Sequence, residues 1–182
     1  MGNPLRDRRT PREFAASGQS IDFDDKIGDF ERLAGIVEAD LSALDAEKVP
    51  RGWRDRTVAG HLSFGFADAQ QGLPTLEGSI AATVDAVCQR CLEPMVVSLC
   101  AEMKYLLADG EYDDYEVWEL EESTLRPIDI VDEALVMAIP MSVLHVYSKD
   151  CRRMTASQEP AEDKIRPFAA LRAQMDEENS AG

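Results

Sequence analysis

Residues 73–107, "LPTLEGSIAATVDAVCQRCLEPMVVSLCAEMKYLL", decide the fold, because apolar and polar side chains alternate on both sides of a short central turn. Before the turn, apolar positions such as Leu76 and Ile80 alternate with polar positions such as Glu77 and Asp85. The segment after the turn repeats this period of two. Such alternation is typical of half-buried strands joined in an antiparallel hairpin.

The neighbouring segments add strands and two helices. "SIDF" and "TVAGHLSFGF", at residues 20–23 and 57–66, have strand patterns. Residues 28–44 place apolar side chains three and four apart, which is the stripe of an α-helix, with Asp29 as a candidate N-cap. The sequence predicts an α+β fold: a meander-like antiparallel sheet of about four to six strands, packed with helices near 29–45 and 129–139.

Composition also divides the chain along its length. Residues 1–19 are basic and rich in Pro and Gly, and are expected to form a loose N-terminal arm. Residues 20–151 are expected to form the α+β domain. Residues 152–182 are expected to be a flexible C-terminal tail with a short helical segment at 167–175, where a proline precedes apolar residues at helical spacing.

The formal charge of −16 restricts the kinds of partner. Nucleic acid binding needs lysine and arginine against phosphates, so direct RNA binding is not expected, whereas a basic protein partner is. Residues 105–125 lack Lys and Arg, and their acidic side chains form either a solvated loop or a docking surface. The candidate partner-binding residues are Asp109, Glu111, Asp113, Asp114, Glu116, Glu119, Glu121 and Glu122.

Targeting signals are not evident. The chain has no apolar run long enough to span a membrane, and its first residues include arginines but no apolar segment of a secretory signal. A soluble cytoplasmic protein is therefore expected.

Two cysteines in the predicted hairpin turn, Cys88 and Cys91, have three interpretations. Redox pairs of this spacing begin a helix, whereas strands flank this one. Two thiolates of a tight turn can instead bind zinc, as in zinc ribbons, and a closed site would need two further ligands. His145 and Cys151 are the candidates. The third interpretation is that the thiols are simply packed.

An enzyme is not expected, because the chain has two histidines and no recognisable nucleophile, phosphate-binding or dinucleotide motif. A pocket that placed His61 or His145 beside carboxylates and arginine would favour an enzyme.

Four blocks of the sequence resemble the YceD family: "CQRCLEPM", "YEVWEL", "PIDIVDEALVMAIPMSVLH…C" and "RPFAAL", in this order across residues 80–175. The resemblance implies a role in the synthesis, processing or stability of 23S ribosomal RNA. It implies no known catalytic site. The family's marked positions fall here on Cys88, Arg90, Cys91, Pro140, His145, Cys151, Pro167 and Phe168.

Charge and resemblance together give one hypothesis. The protein is expected to be a non-enzymatic factor of ribosome assembly, which acts on ribosomal RNA through a basic ribosomal protein or a large-subunit assembly intermediate. The alternatives are an RNA-processing enzyme and a zinc- or redox-responsive regulatory module.

Overall fold

The computed structural model describes residues 3–67, 72–108, 110, 112, 116–120, 122–145 and 151. The chain divides into two units, residues 1–145 and residues 146–182. Of the second unit, Cys151 is described and is buried. The predictions for the tail at 152–182, including the helical segment at 167–175, lie outside the described residues.

An α+β fold is confirmed. In the described residues, the strands are β1 (Ser20–Lys26), β2 (Thr57–Phe66), β3 (Pro74–Val87), β4 (Pro94–Leu106) and β5 (Glu116–Val117), and the helices are α1 (Pro11–Ser17), α2 (Glu31–Leu41) and α3 (Pro127–Met137). The sheet order is β1-β2-β3-β4-β5. The first four strands form the expected antiparallel meander, and β5 pairs with β4 in parallel.

The β3–β4 hairpin is longer than the strand beside it. Its register runs from Thr75 opposite Leu106 to Val87 opposite Pro94. The pairing of β2 with β3 ends where Val58 lies opposite Ala82. The last five residues of β3 therefore extend beyond β2, and the turn between β3 and β4 lies at the tip of this extension.

Helices α2 and α3 cover the sheet with the apolar side chains that the spacing predicted. Phe30, Leu33, Val37 and Leu41 are all buried in one core cluster. Helix α2 packs against β3 and α3, and α3 also packs against β3 and β4. Burying such a stripe against a sheet is the main source of helix stability in a protein, because an isolated helix of this length is marginal in water.

The predicted N-cap of α2 is wrong. The capping position is Phe30, whose side chain accepts no hydrogen bond. The amides of Arg32 and Leu33 instead donate to the buried carboxylate of Asp132 in α3, each at 2.9 Å. Tertiary packing thus supplies the acceptor that the local sequence does not place at the cap, and ties the start of α2 to α3.

The N-terminal arm is packed rather than loose. Leu5 and Phe14 are fully buried in the core. The backbone of Arg9 forms a two-hydrogen-bond bridge with Leu125, and Arg8 forms an ion pair with Glu122. Basic composition predicted an exposed arm, but the two apolar anchors bury their surface in the core, which favours order.

The burial of Asp85 also differs from what strand alternation predicts. The pattern puts it on the polar side of β3, yet its side chain is only 3% exposed. The guanidinium group of Arg56 donates to both of its carboxylate oxygens. The bidentate pair removes the cost of leaving a buried carboxylate without a partner.

Across the part of the chain that the structure describes, no helix has the length and apolar character needed to cross a membrane.

Candidate metal centre

Residues 88–93 form the turn between β3 and β4 and are here called the cysteine turn. The Cys88 amide donates to the Glu93 carbonyl at 3.0 Å, and the Leu92 amide donates to the Cys88 carbonyl at 2.9 Å. Leu92 has φ 56, a left-handed conformation that is rare for a residue with a side chain. Pro94, which has no N–H, begins the returning strand. These features curl the backbone so that Cys88 and Cys91 lie on the same turn.

The segment after α3 brings His145 to this turn. The Gln89 amide donates to the Val143 carbonyl at 2.9 Å. The His145 amide donates to the Cys88 sulfur at 3.4 Å, and the His145 Nδ1 lies 3.3 Å from the Cys91 sulfur. One backbone hydrogen bond and two contacts to sulfur therefore hold the segment that carries His145 against the cysteine turn.

Three of the predicted ligands form one group in the first unit: the ligand atoms of Cys88, Cys91 and His145 all lie within 4.8 Å of one another. Cys151 belongs to the second unit, and its part in the site stays a prediction. Tetrahedral zinc with Zn–S bonds of about 2.3 Å would hold its sulfurs about 3.8 Å apart. Three thiols and an imidazole are the donors that zinc prefers. The grouped donors therefore suit zinc in chemical type.

The electrostatics of Cys88 favour the ligand form of its thiol. Burial raises its pKa, but hydrogen bonds from the amides of Cys91, His145 and Arg90 and from the Cys91 thiol lower it from 9.0 to about 5. The thiolate is the form that binds metal. The cysteine turn therefore stabilises an anionic sulfur without a helix N-terminus.

The fourth cysteine, Cys100, is exposed on β4 and is not one of the grouped ligands. This agrees with its place on the polar side of the strand pattern.

The predicted partner-binding acids fall into two sets. Asp109, Glu111, Asp113, Asp114 and Glu121 lie outside the described residues. Glu116, Glu119 and Glu122 line a groove of about 790 Å³ between the β5 segment and the helices α2 and α3, here called the acidic groove. The groove is lined by Arg8, Glu31, Arg32, Tyr105, Glu116, Val117, Trp118, Glu119, Leu120, Glu122, Thr124, Leu125, Arg126, Asp129, Ile130, Asp132, Glu133 and Met137.

Charge in the acidic groove is negative on balance, with seven carboxylates and three guanidinium groups in the lining. Each arginine pairs with a carboxylate: Arg8 with Glu122, Arg32 with Glu133, and Arg126 with Asp129. Within the described ranges, Glu31, Glu116 and Glu119 have no such ion pair. The unpaired charge of the groove is therefore acidic, next to an aromatic pair formed by Tyr105 and Trp118.

The other histidine, His61, lies on the exposed face of β2. Its Nδ1 is 2.7 Å from an Asp22 carboxylate oxygen and its Nε2 is 3.2 Å from the Ser20 hydroxyl. A shallow pocket brings His61 beside Asp22 and Glu102, and among the described residues no arginine lines it.

This order of contacts is that of a serine–histidine–aspartate triad, but its surroundings differ. The Asp22 side chain is 86% exposed, whereas the triad carboxylate of a serine protease is buried. The pocket places His61 beside carboxylates but, among the described residues, not beside an arginine, so it meets only part of the condition stated for an enzyme.

The matching family model is "Large ribosomal RNA subunit accumulation protein YceD", over residues 76–176. The chain belongs to the YceD family. A relative from Haemophilus influenzae with the same description is 31% identical over 163 residues, which cover 81% of this chain and 91% of that protein. No solved structure matches the chain. The resemblance drawn from the four sequence blocks is confirmed.

Of the predicted signature positions, Cys88, Arg90 and Cys91 lie in the cysteine turn, and His145 contacts this turn. The Arg90 amide donates one of the hydrogen bonds that lower the pKa of the Cys88 thiol. Pro140 is exposed and follows the end of α3. Pro167 and Phe168 lie outside the described residues.

Asp40, in the last turn of α2, is not among the predicted site residues, yet its carboxylate accepts a hydrogen bond from the Val87 amide at 2.7 Å. An acidic residue where a helix dipole favours a basic one is the signal that could have marked it.

Proposed function

We propose that this YceD-family protein is a non-enzymatic factor that supports accumulation of large-subunit ribosomal RNA by binding a basic ribosomal protein or assembly intermediate. The family description and the relative's name support the link to ribosomal RNA. The observation that carries the mode of action is the acidic groove, where Glu31, Glu116 and Glu119 have no ion pair among the described residues.

The balance of charge favours a protein partner over bare RNA. RNA phosphates would meet a chain of charge −16 and a groove with surplus carboxylates. A basic segment would instead gain complementary charge in the groove. Its apolar side chains could pack on Trp118 and on Met137, which is 64% exposed.

Charge reversal in the groove tests the partner. Glu116→Lys with Glu119→Lys is compared with a matched reversal of Asp24 and Glu102, exposed acids elsewhere on the sheet. Proteins crosslinked to each variant in growing cells are identified, and 23S ribosomal RNA is measured in a strain that depends on the variant. We expect the groove reversal to weaken capture of a basic ribosomal protein about tenfold or more, and to lower the RNA level.

The control reversal should leave both measurements unchanged. Recovery of bare ribosomal RNA without a ribosomal protein, surviving moderate salt, would overturn the proposed partner. Equal effects of the two reversals would show that net charge, and not the groove, determines binding.

We also propose that Cys88, Cys91, His145 and Cys151 hold a structural zinc ion. When bound, the metal would link the cysteine turn to the segment that carries His145, and four protein ligands would leave no open position for catalysis. The cysteine sulfurs would bind as thiolates, and the amides described above would orient the Cys88 sulfur.

Metal analysis of the purified protein, with thiol titration before and after a chelator, tests the zinc proposal. We expect about one zinc per chain, and cysteines that react faster once the chelator has removed the metal. Thiols that react equally in both states, in a protein without bound metal, would favour the redox-responsive alternative.

A further inference from the structure

Three consecutive amides fix the start of the cysteine turn, and each donates to a different part of the chain. The Val87 amide donates to the Asp40 carboxylate at 2.7 Å. The Cys88 amide donates to the Glu93 carbonyl at 3.0 Å, within the hairpin, and the Gln89 amide donates to the Val143 carbonyl at 2.9 Å. The bond to Asp40 is the one whose acceptor is a side chain, so a substitution can remove it alone.

The position of Val87 explains why a side chain is needed there. β2 pairs with β3 only as far as Ala82, so among the described residues no strand lies beside the end of β3 on that edge. Val87 is 5% exposed, and its amide would lack a ladder partner. A buried amide without an acceptor destabilises the fold, because it has lost its hydrogen bonds to water. Helix α2 supplies the acceptor in place of a strand.

The location of Asp40 on α2 is otherwise unfavourable. It lies in the last turn, where the helix dipole disfavours an acidic side chain. The charge-assisted hydrogen bond to the Val87 amide offsets that cost, because hydrogen bonds to ionised groups are stronger than neutral ones. Nearby, Lys48 pairs with Glu93 of the cysteine turn at 2.6 Å, so a second contact joins the chain that follows α2 to the same turn.

We propose that Asp40 is a positioning residue of the metal centre: its carboxylate holds the Val87 amide and thereby fixes the backbone that presents Cys88. This rests on the proposed zinc site. Groups that orient metal ligands from outside the coordination shell typically change metal affinity about 10- to 100-fold when they are removed.

The test uses the full chain with three substitutions. Asp40→Ala removes the acceptor, and Asp40→Asn keeps an acceptor oxygen without the charge. Glu38→Ala is the matched control, because it removes an acid of the same helical turn whose partner, Arg54, is exposed. Zinc affinity is measured by competition with a chromophoric chelator, and the ligand field by the visible spectrum with Co²⁺. Hydrogen exchange reports on the Val87 amide, and circular dichroism on folding.

We expect Asp40→Ala to bind zinc about 10- to 100-fold more weakly than wild type, to alter the cobalt spectrum, and to exchange the Val87 amide faster. Asp40→Asn should recover most of the affinity, and Glu38→Ala should match wild type. If Asp40→Ala and Glu38→Ala bind zinc equally, the role of Asp40 is overturned while the metal centre stands. If wild type binds neither ion, both are overturned.

Discussion

The two histidines of this chain lie in contrasting regions. His145 contacts the sulfurs of Cys88 and Cys91, and Cys88 is fully buried. His61 lies on an open sheet face between Ser20 and Asp22, and the Asp22 side chain is 86% exposed. Both regions pair an imidazole with groups capable of chemistry, and hydrogen-bond distances alone do not separate them.

The difference lies in how many independent segments hold each group. Around Cys88, amides from its own turn and from the segment after α3 converge on one sulfur, and α2 holds the preceding amide. Around His61, adjacent strands place side chains side by side in the ordinary register of a sheet. Buried groups that converge from separate segments are costly to arrange, so they indicate a site. Exposed neighbours on adjacent strands occur without one.

The largest expected effect is on the buried region. Adding zinc should stabilise the wild-type protein, by about 4 kcal/mol when free zinc is roughly 1,000 times the dissociation constant. Cys88→Ala should lose this zinc-dependent stabilisation, because it removes a ligand and the acceptor of several amides. Thermal unfolding with zinc, and then with a chelator, measures both effects.

Cys100→Ala is the matched control, since this cysteine is exposed and outside the ligand group. It should keep the full zinc response. A zinc response that survives in Cys88→Ala would break the contrast between the two regions, because the buried group would then not be the metal site.

A second prediction compares a buried carboxylate with an exposed one on the same helix. Asp132→Ala should lower the free energy of unfolding by about 2 kcal/mol, because the amides of Arg32 and Leu33 lose their acceptor at the start of α2. Asp129→Ala removes a half-exposed partner of Arg126 and should cost about 0.5 kcal/mol. Urea unfolding measures both.

Asp132→Asn separates charge from hydrogen bonding. Its one amide oxygen can accept at most part of what two carboxylate oxygens accept, so its stability should lie between wild type and Asp132→Ala. If Asp132→Ala and Asp129→Ala lower the free energy of unfolding equally, burial does not determine how much a carboxylate contributes to stability in this helix.

Periodicity predicted the elements whose burial repeats along the chain. The hairpin at 73–107 and the stripe from Phe30 to Leu41 follow from periods of two and of three to four. A candidate ligand set could be proposed from the sequence because cysteine and histidine are few and zinc accepts a narrow range of donors.

The rest depends on contacts between segments far apart in sequence. Asp132 caps a helix about 100 residues earlier, Arg56 pairs with Asp85 on the next strand, and Leu5 and Phe14 anchor an arm whose composition is basic. No local pattern encodes these partners, because each exists only once the sheet and helices have packed. The geometry around Cys88 is of this kind as well.

The smallest expected effect is at His61. His61→Ala removes contacts to the hydroxyl of Ser20 and to the exposed carboxylate of Asp22, and should change the free energy of unfolding by less than about 0.5 kcal/mol. It should also leave 23S ribosomal RNA at the wild-type level in a strain that depends on the variant, because the proposed binding role does not use this pocket. Asp22→Asn, which keeps the shape of the side chain, should behave in the same way. If both variants fold normally and yet lower the RNA level, the side chains of Ser20, His61 and Asp22 take part in a reaction. That result would support the RNA-processing alternative, which hydrogen-bond geometry alone does not.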